Sequence, residues 1–104
     1  MLNKKVPNLS LPATGEKSIN LRNLKGRFII LYFYPKDDTP GCTQEGRDFN
    51  KLYVEIQKLG AEVFGVSKDS ISSHEKFKKK YKYSFDLISD EKGQLCKAFS
   101  VFKE

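Results

Sequence analysis

The chain has no tryptophan, one methionine, one histidine and two cysteines in 104 residues. Cys42 and Cys96 are too few for a disulfide-stapled scaffold, and they do not form a C-x-x-C pair. With His74 as the lone histidine no zinc-ligand pattern can be assembled, and that residue is expected at the surface or half-buried on a helix. Long apolar runs are absent as well. The longest, Phe28 to Tyr34, is strand-sized and far short of the roughly 20 residues a membrane-spanning helix needs. Met1-Leu2-Asn3-Lys4-Lys5 is followed by Val6-Pro7-Asn8, not by the apolar segment of a secretory signal. The expectation is therefore a reducing, cytoplasmic setting with no membrane partner.

What is present argues for one globular domain over residues 1–104. Hydrophobic residues make up 38% and charged residues 31%, with thirteen Phe and Tyr for a core. The net charge is +6, concentrated in Lys76-Phe77-Lys78-Lys79-Lys80-Tyr81-Lys82. On a helix Phe77 and Tyr81 share one face and the lysines take the solvated rest. No arginine-rich or exposed-aromatic pattern accompanies them, so no nucleic-acid partner is expected.

Leu9-Ser10-Leu11 and Ser18-Ile19-Asn20, joined near Thr14-Gly15-Glu16, read as a hairpin, with a break expected at Pro12. Asn20 is placed to cap a short turn carrying Leu21 and Leu24, stopped by Gly26. Phe28 to Tyr34 is continuously apolar, the pattern of a strand covered on both faces, and Pro35 ends it. After the polar Lys36-Asp37-Asp38, Thr39 is a plausible N-cap and Pro40 a first helical residue. Phe49, Leu52, Tyr53, Ile56 and Leu59 then recur at helical spacing, and Gly60 stops the helix. Ala61 to Val66 reads as a second buried strand. Ser72-x-x-Glu75 has the form of a capping box for the lysine-rich helix. Phe85 to Ile88 reads as a third strand, and Leu95, Cys96 and Phe99 as the apolar side of a last short helix. Hairpin followed by β-α-β-α-β-α predicts an α/β fold with a mostly parallel sheet and helices on both faces.

In such sheets chemistry gathers at the carboxyl ends of the strands, and Cys42 lies just beyond the end of the most apolar one. A helix N-terminus favours a thiolate through its unpaired N–H groups and positive dipole end. Gly41 has no Cβ to obstruct a small substrate, and the Thr39 hydroxyl can turn towards the sulfur or a bound oxygen. An inert, buried cysteine fits the same placement.

Tyr32-Phe33-Tyr34-Pro35-Lys36-Asp37-Asp38-Thr39-Pro40-Gly41-Cys42-Thr43-Gln44-Glu45 resembles the peroxidatic-cysteine motif of peroxiredoxins, most closely the bacterioferritin-comigratory-protein (peroxiredoxin Q) subfamily. Leu9-Ser10-Leu11-Pro12, Leu24-Lys25-Gly26, Val66-Ser67-Lys68-Asp69 and Leu87-Ile88-Ser89-Asp90 extend the resemblance along the chain. It implies a thioredoxin-like fold and a thiol peroxidase for hydrogen peroxide and alkyl hydroperoxides. Cys42 would be the peroxidatic nucleophile, cycling through a sulfenic acid. Thr39 would orient the peroxide, Pro35 would shield the cysteine, and the backbone at Gly41 would hold an oxygen. Thioredoxin or another thiol would be the reductant, and no metal or organic cofactor would be needed.

The resemblance has two departures. Where many members carry a resolving cysteine five residues after the peroxidatic one, this chain has Arg47, which leaves Cys96, an external thiol or a partner's cysteine for that role. Second, the family continues beyond the position of Glu104 with two strands and a helix, including an arginine that contacts the sulfur. A domain lacking that part is expected to expose a sheet edge. A monomer is then the first expectation and association through that edge the second. A catalytically weak or inactive chain acting as a binding module is the alternative function. A thioredoxin-type dithiol oxidoreductase would need C-x-x-C, which Gly41-Cys42-Thr43-Gln44-Glu45 lacks.

Overall fold

A computed structural model describes residues 8–24 and 28–98. Two strands open the chain, β1 (Ser10–Ala13) and β2 (Lys17–Asn20), paired antiparallel with Leu11 opposite Ile19. Gly15 and Glu16 take positive φ in the tight turn between them, which suits glycine at the first position. Pro12 does not break β1. It sits inside the strand opposite Ser18, and β1 meets its other neighbour only at Ala13, so the missing proline N–H costs no ladder bond there. Asn20 caps a single 3-10 turn, Leu21–Asn23, by accepting from the Arg22 N–H at 3.0 Å. The expected stop at Gly26 lies outside the described residues.

The remaining elements are β3 (Phe28–Phe33), α1 (Pro40–Lys58), β4 (Ala61–Ser67), α2 (Ile71–Tyr81), β5 (Asp86–Ser89) and α3 (Gln94–Ala98). One five-stranded sheet runs β2-β1-β5-β4-β3. The order is parallel through β5-β4-β3, and the hairpin joins it antiparallel, so the sheet is mixed.

Side chains alternate across this sheet and build two cores. On one face Tyr32, Tyr34, Val63, Phe85 and Leu87 pack with Cys42 of α1 and Phe77 of α2, flanked by Phe49, Tyr53 and Ile56. On the other face Leu11, Ala13, Phe64, Val66 and Ile88 pack against Leu95 of α3. Each fully buried residue of this size contributes roughly 1.5–3 kcal/mol relative to its exposed state. Phe77 and Tyr81 stand on the buried side of α2 in edge-to-face contact, with ring centroids 5.5 Å apart, while Lys76, Lys79 and Lys80 face outward.

Three further expectations change. Among the described residues β3 is covered fully on one face and only partly on the other, where Ile29, Leu31 and Phe33 pack at the margin of the second core. It ends the sheet among the described residues, Phe28 is 75% exposed, and Ile29, Leu31 and Phe33 are only half-buried, because α1 and α2 cover the opposite side. The apolar stripe of α1 is narrower than its spacing implied: Leu52 and Leu59 face solvent, since the helix rests on a single core. The capping box of α2 does not form. Ser70 is the N-cap and accepts from the Ser73 N–H at 3.2 Å, while Glu75 instead accepts from the Gly15 N–H at 3.1 Å. Phe99 lies outside the described residues.

Candidate active site around Cys42

β3 delivers the chain to a loop, Pro35 to Thr39, and α1 starts immediately after it. Thr39 is the N-cap, Pro40 the first helical residue and Cys42 the third. The Thr43 N–H closes the first helical bond on the Thr39 carbonyl at 2.8 Å. The Gly41 and Cys42 N–H groups precede that bond and have no acceptor within the helix. Cys42 is 7% exposed, in the core beneath α1. Gly41 is exposed, and a Cβ there would meet no atom within 4 Å. The Thr39 hydroxyl is not spent on capping. It donates to the Lys36 carbonyl at 3.2 Å, which leaves its oxygen lone pairs free to accept. Pro35 is exposed at the head of the loop.

Cys96 occupies a different place. It is buried on α3, next to Leu95, which packs into the core on the far face of the sheet from Cys42. Burial, reinforced by the Asp90 carboxyl beside it, pushes the Cys96 thiol up to about 11. Asp90 accepts from the Leu95 and Cys96 N–H groups at 3.1 Å, holding the first turn of α3. Both cysteines are free thiols.

The loop itself is pinned by residues the sequence reading had passed over. His74 is fully buried rather than superficial or half-exposed. Its Nδ1 lies 2.7 Å from Asp37 Oδ2 and its Nε2 3.0 Å from the Ile88 carbonyl. Tyr34 donates to Asp37 Oδ1 at 2.6 Å, and burial first, then that carboxylate, holds the phenol far above its ordinary range. Ser73 donates to Asp37 Oδ2 at 2.8 Å, and the Asp37 N–H donates to Asp69 Oδ2, also at 2.8 Å. At the next residue Lys80 and Tyr81 donate to the Asp38 carboxylate, which the lysine draws below the usual carboxylate range. A signal for His74 was present: it precedes Phe77 by three residues and Tyr81 by seven, on one helical stripe.

Asp37, Asp69 and His74 bring their ligating atoms within 4.8 Å of one another. Those atoms are engaged within the protein. Nε2 faces a carbonyl, and Asp69 Oδ2 already accepts from the Ser67 hydroxyl at 2.6 Å as well as from Asp37. The cluster is thus organised around protons, not built as an open set of metal donors. Among the described residues no helix is long and apolar enough to cross a membrane.

This topology, with a cysteine in the first turn of the helix that follows a parallel strand, is that of a thioredoxin-like α/β thiol domain. The AhpC/TSA family model matches residues 2–104, and the chain belongs to that family. It is 48% identical over 97 residues to peroxiredoxin Bcp of Xanthomonas campestris pv. campestris, covering 93% of this chain and 61% of that protein. It is 42% identical over 102 residues to peroxiredoxin Bcp of Bacillus subtilis, covering 98% of this chain and 65% of that protein. The chain thus spans less than two thirds of the length of these relatives. Among solved structures it resembles the Xanthomonas campestris bacterioferritin comigratory protein, with 44% identity and a TM-score of 0.93 over 98% of this chain and 68% of that one. That structure was determined to address alkyl peroxide reduction by the Xanthomonas protein.

Proposed function

We propose that this chain performs the peroxidatic step of a thiol peroxidase acting on hydrogen peroxide and alkyl hydroperoxides. The observation that carries the reading is Cys42 as the third residue of α1, sheltered yet beside the Gly41 and Cys42 N–H groups, which have no acceptor within the helix. A helix start of this kind favours the thiolate and the anionic oxygens of a departing group. The Cys42 thiolate attacks the terminal peroxide oxygen. The S–O bond forms, the O–O bond breaks, sulfur is oxidised to the sulfenic acid, and the leaving alkoxide or hydroxide takes a proton to become alcohol or water. Thr39, whose oxygen can accept from the peroxide O–H, is the orienting residue. Pro35 is the shield at the loop head, and Gly41 keeps the approach open.

Regeneration takes two thiols. The first displaces water from the sulfenic acid to give a mixed disulfide, and the second releases the Cys42 thiol. Thioredoxin in a reducing cytoplasm is the expected donor. Cys96 is the weaker candidate for the first thiol, since it is buried and held protonated. The second reading, a catalytically weak chain that acts through binding, is favoured by the edge position of β3, through which two copies could also associate.

The test is stopped-flow reaction of the reduced chain with hydrogen peroxide, with mass spectrometry of the product and Cys42→Ser as control. Oxidation at Cys42 much faster than that of an ordinary thiol, abolished in the variant, is the expected result. A rate equal to a free thiol's overturns the reading in favour of the binding module.

A further inference from the structure

The described residues contain one buried titratable cluster that the chemistry above leaves unused: Asp37, Asp69 and His74, with Tyr34, Ser67 and Ser73 around them. We infer that His74 is a positioning residue for the peroxidatic loop, a doubly protonated ring clamped between Asp37 and the Ile88 carbonyl that fixes the segment from Pro35 to Thr39 ahead of Cys42. The inference rests on the peroxidase reading and deepens it.

The protonation follows from what each ring nitrogen faces. A carbonyl oxygen only accepts, so Nε2, 3.0 Å from the Ile88 oxygen, carries a hydrogen. Nδ1 and Asp37 Oδ2, 2.7 Å apart, require one proton between them. Asp37 already receives the Tyr34 hydroxyl on Oδ1 and the Ser73 hydroxyl on Oδ2. Two hydroxyl donors already on the carboxyl oxygens suit its ionised form, so the shared proton is assigned to Nδ1. Tyr34 keeps its own proton because burial, and then the Asp37 charge, disfavour the phenolate. The groups facing His74 are drawn from every element around it: Asp37 from the loop, Tyr34 from the end of β3, Ser73 from α2 and the Ile88 carbonyl from β5. Asp69, beyond β4, is turned to Ser67 and the Asp37 N–H.

The clamp acts at close range on the reacting atoms. Asp37 is two residues before the N-cap Thr39 and is held through its backbone N–H and both carboxylate oxygens. Asp38 is tied to Lys80 and Tyr81, so consecutive loop residues are both anchored on α2. The strained turn at Asp38, with φ of 59°, is one such an anchor can sustain. Displacing a reacting group by about 1 Å can cost on the order of a hundredfold in rate. Thiol alkylation, which needs no oriented peroxide, lacks that sensitivity.

The experiment uses the whole chain in three parts. First, nitrogen NMR of the histidine ring at pH 7 is expected to show hydrogens on both nitrogens. A bare ring nitrogen overturns the clamp. Second, His74→Gln and the milder Tyr34→Phe are compared with the unaltered chain for oxidation of Cys42 by hydrogen peroxide and for its alkylation by iodoacetamide, with circular dichroism reporting the fold. The peroxide rate is expected to fall on the order of tenfold to a hundredfold in His74→Gln, and less in Tyr34→Phe, with the alkylation rate retained. Loss of both rates together, or of neither, overturns the positioning role. Third, if the unaltered chain oxidises no faster than a free thiol, the peroxidase reading fails, and the positioning of a peroxidatic loop fails with it. The ring-nitrogen result then still decides whether the clamp exists.

Discussion

Tyr83 donates its hydroxyl to the Thr43 carbonyl at 3.0 Å, so the segment between α2 and β5 holds the first turn of α1 from below, one residue from Cys42. Burial, with Tyr81 alongside, pushes the Tyr83 phenol up to about 12, so the hydroxyl stays protonated as a donor at neutral pH. The Thr43 carbonyl lies within the helix and can also serve the helical ladder, so losing the phenol costs one bond's net worth. Tyr83→Phe is expected to lose about 1 kcal/mol in urea unfolding. Amide exchange near Thr43 is expected to quicken more than exchange in β4.

Gly46 sits directly over that phenol, and a Cβ there would run into the Tyr83 hydroxyl and ring. Tyr83 is buried with Phe77 and Phe85 packed around it and has little room to retreat. Gly46→Ala is therefore expected to destabilise by about 1–3 kcal/mol despite the better helix propensity of alanine. Equal or raised stability in a thermal melt would show that the ring can move aside.

Gly41 offers the opposite case on the same helix, since its Cβ position is open. Gly41→Ala is expected to leave the melting temperature the same or slightly higher, because alanine is favoured over glycine in a helix by up to about 1 kcal/mol. If peroxide approaches past this residue, the variant reacts more slowly with a bulky hydroperoxide than with hydrogen peroxide. An unchanged ratio of the two rates would place the approach elsewhere.

Cys96 is expected to resist alkylation in the folded chain at pH 8, whereas Cys42 reacts, and mass mapping of the modified peptides checks this. The thiol's value is raised in the fold from 9.0 to about 11, so the neutral form is the one the fold prefers. That contribution to stability is full below about pH 9 and is lost as pH rises towards about 11. Cys96→Ala is thus expected to flatten the alkaline arm of the stability profile.

Asp86 supplies the acid counterpart. Burial pushes its carboxyl up, but Lys17 at 2.6 Å, Lys78 at 2.8 Å and the Thr14 hydroxyl at 2.9 Å outweigh it, leaving the group below the usual carboxylate range. A lowered carboxylate stabilises the fold above its unfolded value, about 3.9, and that stability is lost as pH falls through the folded value. Asp86→Asn is expected to cost about 1–2 kcal/mol at pH 7 and progressively less below pH 4, measured by urea unfolding at each pH.

The repeating elements were legible because each depends on local chemistry. Apolar runs made the strands, Thr39-Pro40 opened α1 and Gly60 closed it with φ of 79°. The placement of Cys42 at a helix start followed from the same local signals. His74 was misjudged because a histidine reads as polar, and only the arrival of Asp37 and the Ile88 carbonyl on its two nitrogens makes burial tolerable. Ser72 and Glu75 had the spacing of a capping box, but Ser70 took the helix start and the Gly15 N–H captured the glutamate.

The sequence by itself determined the order of elements and the position of a cysteine at the mouth of a helix. These rest on side-chain periodicity and turn residues within a few positions of one another. Only the tertiary structure decided which residues hold that cysteine's loop. Asp37 is far along the chain from Asp69 and His74, and all three are far from Ile88; they come together where β3, β4 and β5 end and α2 begins. Which buried donor finds which acceptor there depends on how the strands cross over, and local spacing does not encode it.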